Sequence, residues 1–196
     1  MCNECPGNRS GPEGSSLHRT HASAADRLAV TSVGGGDTDE GGGAMSGSSD
    51  TASASVDGSG DASGPAPRVS VLMTCHDAAT TIEESVRSVI AQTFTDWELV
   101  LVDDLSTDDS LARVARLGDP RVRIVRLDTR HRRTRALNAG LRRVRGEYVA
   151  VLDADDLAAP ERLARQVAML DARPELAGVG SWFVDIDAAG AVTRRH

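Results

Sequence analysis

The chain contains no lysine; all 22 of its Lys+Arg positions are arginine. That pattern fits the base-composition bias of a GC-rich genome and carries no functional signal of its own. Against 29 Asp+Glu the formal net charge is -7, which argues against a general nucleic-acid binder. No run approaches the ~18 apolar residues that a membrane-crossing helix needs, so no transmembrane segment is expected. The N-terminus carries acids and glycine where a secretory signal has an apolar core, which argues against export. Cysteine is scarce, with three in all. Cys2 and Cys5 form one C-x-x-C without a second pair of ligands, a poor zinc site. Cys75 stands alone in the part expected to fold and suits a reducing cytoplasm, the expected location.

Aromatic residues are absent from Met1 to Ala66, and apolar periodicity is absent with them. This stretch of Gly, Ser, Ala, Asp and Thr, with Gly34-Gly35-Gly36 and Gly41-Gly42-Gly43, cannot bury enough apolar surface to offset its chain entropy. Residues 1–66 are therefore expected to be a disordered tail, in which Met45 offers an alternative start, and residues 67–196 a single folded domain.

Within that domain, apolar runs alternate with amphipathic ones. Val69 to Thr74 reads as a buried strand. Thr81-Ile82-Glu83-Glu84 has the form of a capping box opening a helix with Ile82, Val86, Val89 and Ile90 on one face. Glu98 to Val102 is a second strand ending in Asp103-Asp104, and Ser106 with Asp109 opens a helix that turns Leu111, Val114 and Ala115 inward. Arg121 to Leu127 alternates Arg with aliphatic residues, as an edge strand with one wet face does. The basic run Thr129 to Arg135 leads into a helix from Thr134 to Val144, ended by Gly146. Tyr148 to Leu152 is a third buried strand, closed by Asp153, Asp155 and Asp156. A helix begins near Pro160, buries Leu163, Val167 and Leu170, and stops at Pro174. A last strand is expected over Gly178 to Val184, with a turn at Asp187-Ala188-Ala189-Gly190.

Strands alternating with helices predict an α/β fold with a mainly parallel, doubly wound sheet, which binds ligands at the carboxyl ends of its strands. Three strands end there in polar groups: Thr74 with His76 and Asp77, Asp103 with Asp104, and Asp153 with Asp155 and Asp156. So many acids at buried strand ends call for a cation among them. The glycine-rich phosphate loops G-x-G-x-x-G and G-x-x-x-x-G-K are missing, so phosphate would be held by metal and arginine. The bland readings are that Asp103 and Asp104 cap the next helix, that Asp155, Asp156 and the arginine run are solvated loops, and that His76 and His131 are exposed loop residues.

Val69-Ser70-Val71 with Thr74, Gln92-Thr93-Phe94, Trp97-Glu98, Val102-Asp103-Asp104-x-Ser106-Thr107-Asp108, Ala136-Leu137-Asn138-Ala139-Gly140, Gly146-Glu147-Tyr148 and Asp153-Ala154-Asp155-Asp156 with Pro160 occur in an order and spacing that resembles family-2 glycosyltransferases of the GT-A fold. The resemblance covers Pro67 to Gly190. It implies a Rossmann-like sheet with helices on both faces and transfer of a sugar, with inversion, from a nucleoside diphosphate sugar, commonly a UDP-sugar, to an acceptor hydroxyl. Carried over by position, Thr74 lines the nucleotide pocket and Asp104 accepts a hydrogen bond from the base. Asp155 ligates Mn2+ or Mg2+ on the diphosphate, and Asp153 holds the ribose or the metal shell. The basic run, through Arg133 or Arg135, adds charge to the phosphates; Arg135 is taken as a binding residue.

The chain departs from the family pattern at Asp77, where Asn is usual, and at Leu105, where Gly is usual. An acid downstream of the D-x-D pair normally serves as general base; Asp185 and Asp187 are poor candidates, and the base is expected beyond His196. The alternative reading is a truncated or non-catalytic nucleotide-sugar-binding module. The acceptor, whether saccharide, lipid-linked or protein, is undetermined, and the resemblance adds a peripheral position at the inner membrane face.

Overall fold

The computed structural model describes residues 28–29, 54–56, 65–187 and 189–196. Cys2, Cys5, Met45 and most of the tail expected to be disordered lie outside the described residues. The strands are β1 (Leu28–Ala29), β2 (Ala54–Val56), β3 (Val69–Cys75), β4 (Trp97–Asp103), β5 (Val122–Leu127), β6 (Tyr148–Val151), β7 (Val184–Ile186) and β8 (Val192–Arg195). The helices are α1 (Ile82–Ile90), α2 (Ser110–Ala115), α3 (Arg132–Leu141) and α4 (Arg162–Ala172). One sheet runs β1-β6-β3-β4-β5-β2, and β6, β3, β4 and β5 are parallel throughout. β1 adds to β6 in parallel and β2 to β5 antiparallel, so two short segments of the tail line the sheet edges. Among the described residues no helix is long and apolar enough to cross a membrane.

β3 and β4 are apolar along nearly their whole length because helices cover both faces, as parallel sheets require. The strand alternation divides the core in two. Val69, Val71, Met73, Leu99, Leu101 and Ala150 pack with Ile82, Val86 and Val89 of α1, Val114 of α2, and Leu163, Val167 and Leu170 of α4. Leu72, Val100, Val102, Val125 and Val149 pack with Ala136 and Ala139 of α3 on the other face. β3 leads through α1 to β4 and through α2 to β5, and α3 then carries the chain back across the sheet to β6, on the far side of β3.

The foot of the sheet is closed by one buried carboxylate. Glu98, 2% exposed, accepts hydrogen bonds from Ser70 Oγ at 2.7 Å, Arg123 at 2.9 Å, and the main-chain N–H and guanidinium of Arg145 at 2.9 and 3.0 Å. Burial alone would push this carboxyl up, but Ser70, Arg123 and Arg145 outweigh it and hold the group below the usual range. The same Ser70 Oγ accepts the Gly146 N–H at 2.8 Å. A Cβ on Gly146 would stand 2.4 Å from the Ser70 nitrogen, so only glycine lets the α3–β6 connection come this close.

Several local expectations shift. Thr81 precedes α1, but its side chain makes no capping bond; its hydroxyl lies 3.5 Å from the Ala78 carbonyl. α2 starts at Ser110 rather than near Ser106, since the Ser106 hydroxyl is taken by the Asp77 N–H and Asp108 accepts the Ser110 N–H. α3 runs from Arg132 to Leu141, two residues earlier than expected at its start and three at its end. β5 is parallel to β4, and its outer side is paired with β2 instead of open. The strand expected over Gly178 to Val184 does not form; Val184–Ile186 and Val192–Arg195 make an antiparallel hairpin instead, around the anticipated turn. Trp182, Phe183 and Val184, at the end of the expected strand, are exposed.

Replacing Glu98 by Ala leaves Arg123 and Arg145 without their shared anion and is expected to lower unfolding free energy by about 3–5 kcal/mol, read from urea denaturation. Because the folded-state carboxyl sits below its unfolded value, its contribution is complete above the ordinary Glu range near pH ~4.3 and is lost as pH falls through the folded value. Glu98→Gln is expected to flatten the acid side of a stability-versus-pH curve. Gly146→Ala is expected to cost about 3 kcal/mol in the same assay, because the added carbon meets backbone that cannot rotate away.

Candidate functional site

At a point where strand order reverses, loops diverge and leave a crevice. Here that point lies between β3 and β6. Leu72 pairs with Val151, so Thr74 and Asp153, each two residues further on, come to the same level. The loops after β3, β4, β5 and β6 enclose an open cleft of about 910 Å³ lined by Thr74, His76, Asp77, Asp104, Arg130, Arg132, Arg133, Asp153 and Asp155, among others. The three strand ends singled out from the sequence therefore do converge.

The β3 and β4 loops are laced together by carboxylates. Asp77 Oδ1 accepts the N–H groups of Thr107 at 2.7 Å and Asp108 at 3.2 Å, while Asp108 Oδ2 accepts the Ala79 N–H at 2.9 Å. The Thr107 N–H, with help from that of Asp108 and from His76, lowers the Asp77 carboxyl against the opposing effect of desolvation. Asp104, 4% exposed, reaches across to the next loop: Oδ1 accepts the His131 N–H at 2.6 Å and Oδ2 the Arg132 N–H at 2.7 Å. It thus caps α3 rather than α2, fixing the basic segment over the cleft. Asp103 turns inward, where its Oδ1 accepts the Ser106 N–H at 3.1 Å and lies 3.6 Å from the Cys75 thiol. Burial, reinforced by Asp103, pushes that thiol up to about 12, so Cys75 behaves as a small apolar residue.

Each of these first three rim loops contains a non-glycine residue at positive φ: Asp77 at 50°, Leu105 at 66° and Arg132 at 60°. Leu105 accepts the left-handed turn position where the resemblance has Gly, and its side chain points to solvent with 44% exposure. Such conformations persist only where the surroundings hold them, and they concentrate at functional sites.

The acid corner after β6 is held from below by α1. Ser85 Oγ donates to the Ala154 carbonyl at 2.8 Å, and Ser88 Oγ accepts the Ala158 N–H at 3.0 Å. Gln92 donates to the Ala159 carbonyl at 2.7 Å and accepts the Leu163 N–H at 3.0 Å, capping α4, while the Thr93 N–H donates to the Pro160 carbonyl at 2.9 Å. In the sequence Gln92 and Thr93 stand out only as part of a motif, and the sole sign of Ser85 and Ser88 is a pair of small hydroxyls among the apolar positions of α1. Arg162 donates to the Val151 carbonyl at 2.9 Å beneath the same loop. Partial burial and then Asp155 and Asp153 push the Asp156 carboxyl up, with Arg162 and Arg133 opposing.

Asp153 is bound by Arg133, whose Nη2 lies 2.8 and 2.9 Å from its two carboxylate oxygens. Asp155 lines the cleft and is exposed. Arg135 is exposed and stands outside the lining, whereas Arg130, Arg132 and Arg133 are inside it. His76 and His131, expected to be exposed loop residues, do lie in loops but are half-buried: His76 in the lining, and His131 with its ring hydrogen-bonded to Thr129. Asp185 pairs with His196 at 3.0 Å and Asp187 accepts the Ala189 and Ala191 N–H groups, so both are spent on the β7–β8 hairpin.

Among the described residues no three His, Cys, Asp or Glu side chains are arranged to hold a metal by themselves. The donor set nevertheless fits a hard divalent cation that takes one or two carboxylates and fills its remaining positions with phosphate and water. Asp153 and Asp155 are two such carboxylates on one cleft, and Asp153 already attracts a cationic side chain.

Comparison with known proteins agrees with this architecture. The chain is 36% identical over 128 residues to the putative glycosyltransferase EpsE of Bacillus subtilis, covering 63% of this chain and 46% of that one. It is 41% identical over 106 residues to the succinoglycan biosynthesis protein ExoO of Rhizobium meliloti, covering 54% and 30%. The solved structure of S. aureus TarS residues 1–349 with UDP-GlcNAc superposes with a TM-score of 0.53 at 28% identity, covering 55% of this chain and 32% of that one. The chain thus spans less than half the length of these relatives. Residues 70–196, well over half of the chain, match Glycosyl transferase family 2, and the chain belongs to that family.

Proposed function

We propose that this chain carries the donor-binding part of a glycosyltransferase that moves a sugar from a nucleoside diphosphate sugar, most simply a UDP-sugar, to an acceptor hydroxyl. The single observation that carries the reading is the convergence of Asp104, Asp153, Asp155 and three arginines on one cleft at the reversal point of a parallel sheet. UDP-GlcNAc in the TarS structure and the UDP-glucose named for the Escherichia coli relative WfgD, 32% identical over 102 residues, support a uridine donor.

In this reading Thr74 borders the nucleotide, and Asp104, whose oxygens each accept one main-chain N–H, keeps a further acceptor site for a base N–H. Asp155 and Asp153 would hold Mn2+ or Mg2+. A cation held there would neutralise charge gathering on the departing nucleoside diphosphate. Arg130, Arg132 and Arg133 supply fixed positive charge to the same phosphates, and Arg135 is a second-line contributor from outside the lining. Transfer with inversion has the acceptor oxygen attack the anomeric carbon as the bond to the diphosphate breaks, and a base removes the hydroxyl proton. Among the described residues no acid after Asp155 lines the cleft, so the base is assigned to none of them. The second reading is a donor-holding module that transfers nothing: among the described residues the cleft lining carries carboxylates at the donor-holding positions and no later acid.

Calorimetric titration of UDP into the full chain, with and without Mn2+, tests the assignment. Binding is expected to need Mn2+ and to be lost in Asp155→Ala; parent-like binding by that variant sinks the metal assignment. Asp104→Ala is expected to weaken UDP with or without Mn2+ and to lower stability by about 1 kcal/mol through loss of the α3 cap. Unchanged UDP affinity in Asp104→Ala removes it from the base site.

A further inference from the structure

The Arg133–Asp153 pair sets two requirements of the cleft against each other. One guanidinium nitrogen is shared by both oxygens of Asp153, at 2.8 and 2.9 Å, along the edge where a cation bound to that carboxylate would sit. Arg133 rides on the first turn of α3, which Asp104 fixes through the His131 and Arg132 N–H groups. The side chains are 55% and 26% exposed, so the pair is weak and its members can change partners at little cost. A cation arriving alone must displace Arg133 and leave that charge without a counterion. A diphosphate arriving alone draws Arg133 away and leaves Asp153 bare among Asp155 and Asp156. When both arrive, each member of the pair finds a new counterion.

We propose that Arg133 couples the two ligands: its guanidinium passes from Asp153 to the phosphates as Asp153 passes from Arg133 to the divalent cation, so that cation and nucleoside diphosphate each tighten binding of the other. This rests on the reading of the cleft as a nucleotide-sugar site. Such coupling is reciprocal, and the side chain that carries it can be identified by removing it. Arg133 is a positioning residue in this scheme, and its effect is visible before any sugar is transferred.

The test is Mn2+ uptake by the full chain, followed through the electron paramagnetic resonance signal of free Mn2+, without and then with UDP. The parent is expected to bind Mn2+ more tightly when UDP is present. Arg133→Gln, a change at an exposed side chain, is expected to bind Mn2+ alone about two- to fivefold more tightly than the parent and to gain less from UDP. Arg130→Gln is the control: it removes the same charge from the same cleft, but among the described residues Asp153 pairs with Arg133 and not with Arg130, so the gain in Mn2+ affinity is expected to be smaller. Unchanged or weaker Mn2+ affinity in Arg133→Gln, or an equal gain in Arg130→Gln, overturns the coupling while UDP binding by the parent keeps the donor-site reading. Failure of UDP to bind any of the three proteins overturns the donor-site reading and the coupling together.

Discussion

Everything at the rim of this sheet depends on a carboxylate at its foot. Glu98 receives hydrogen bonds that originate on β3, β5 and the α3–β6 connection while itself belonging to β4, so one side chain ties three central strands to the connection that enters the fourth, at the end away from the cleft. Such a group is costly to bury unless every lone pair is met, and here Ser70, Arg123 and Arg145 meet them. Gly146 completes the arrangement by letting its connection lie against β3. With the parallel register set at the foot, the opposite strand ends have no freedom in level, and Thr74, Asp104 and Asp153 are delivered together.

The rim is built on a different principle. Its carboxylates are satisfied mainly by main-chain N–H groups of neighbouring loops: Asp77 by Thr107 and Asp108, Asp108 by Ala79, Asp104 by His131 and Arg132. Amide donors fixed in loops hold an acid without neutralising it, so Asp77 and Asp104 keep their charge at the cleft lining, whereas Asp153 is paired with Arg133 and Asp155 stands exposed. The left-handed residues Asp77, Leu105 and Arg132 are the backbone cost of folding three loops this tightly. α1, with Ser85, Ser88 and Gln92, performs the corresponding service for the fourth loop.

Much of this was legible because β3, β4 and β6 are near-continuous apolar runs, with an acid at the end of β4 and within two residues after β3 and β6. The rest was set by contacts remote in sequence. That Asp104 caps a helix 27 positions later could not be read from the residues that follow it, and the nearer helix was the natural guess. The choice among arginines failed to resolve for a geometric reason: α3 begins at Arg132, and at about 100° per residue Arg135 lies some 200° from Arg133, on the opposite face. Fixing the start two residues late hides which of them faces the cleft. The strand expected over Gly178 to Val184 failed to form there because, of its apolar residues Val179, Trp182, Phe183 and Val184, only Val179 finds a buried place.

The two tryptophans end up in opposite surroundings. Trp97 is 2% exposed at the start of β4 with the Arg121 guanidinium 3.8 Å above its ring, whereas Trp182 is 90% exposed just before the hairpin. The protein therefore carries two built-in optical reporters. The indole of Trp97, sealed and stacked against a cation, emits toward the blue and responds to dissolution of the sheet. That of Trp182, in water, emits toward the red and senses whatever comes to rest on the hairpin while the sheet stays intact.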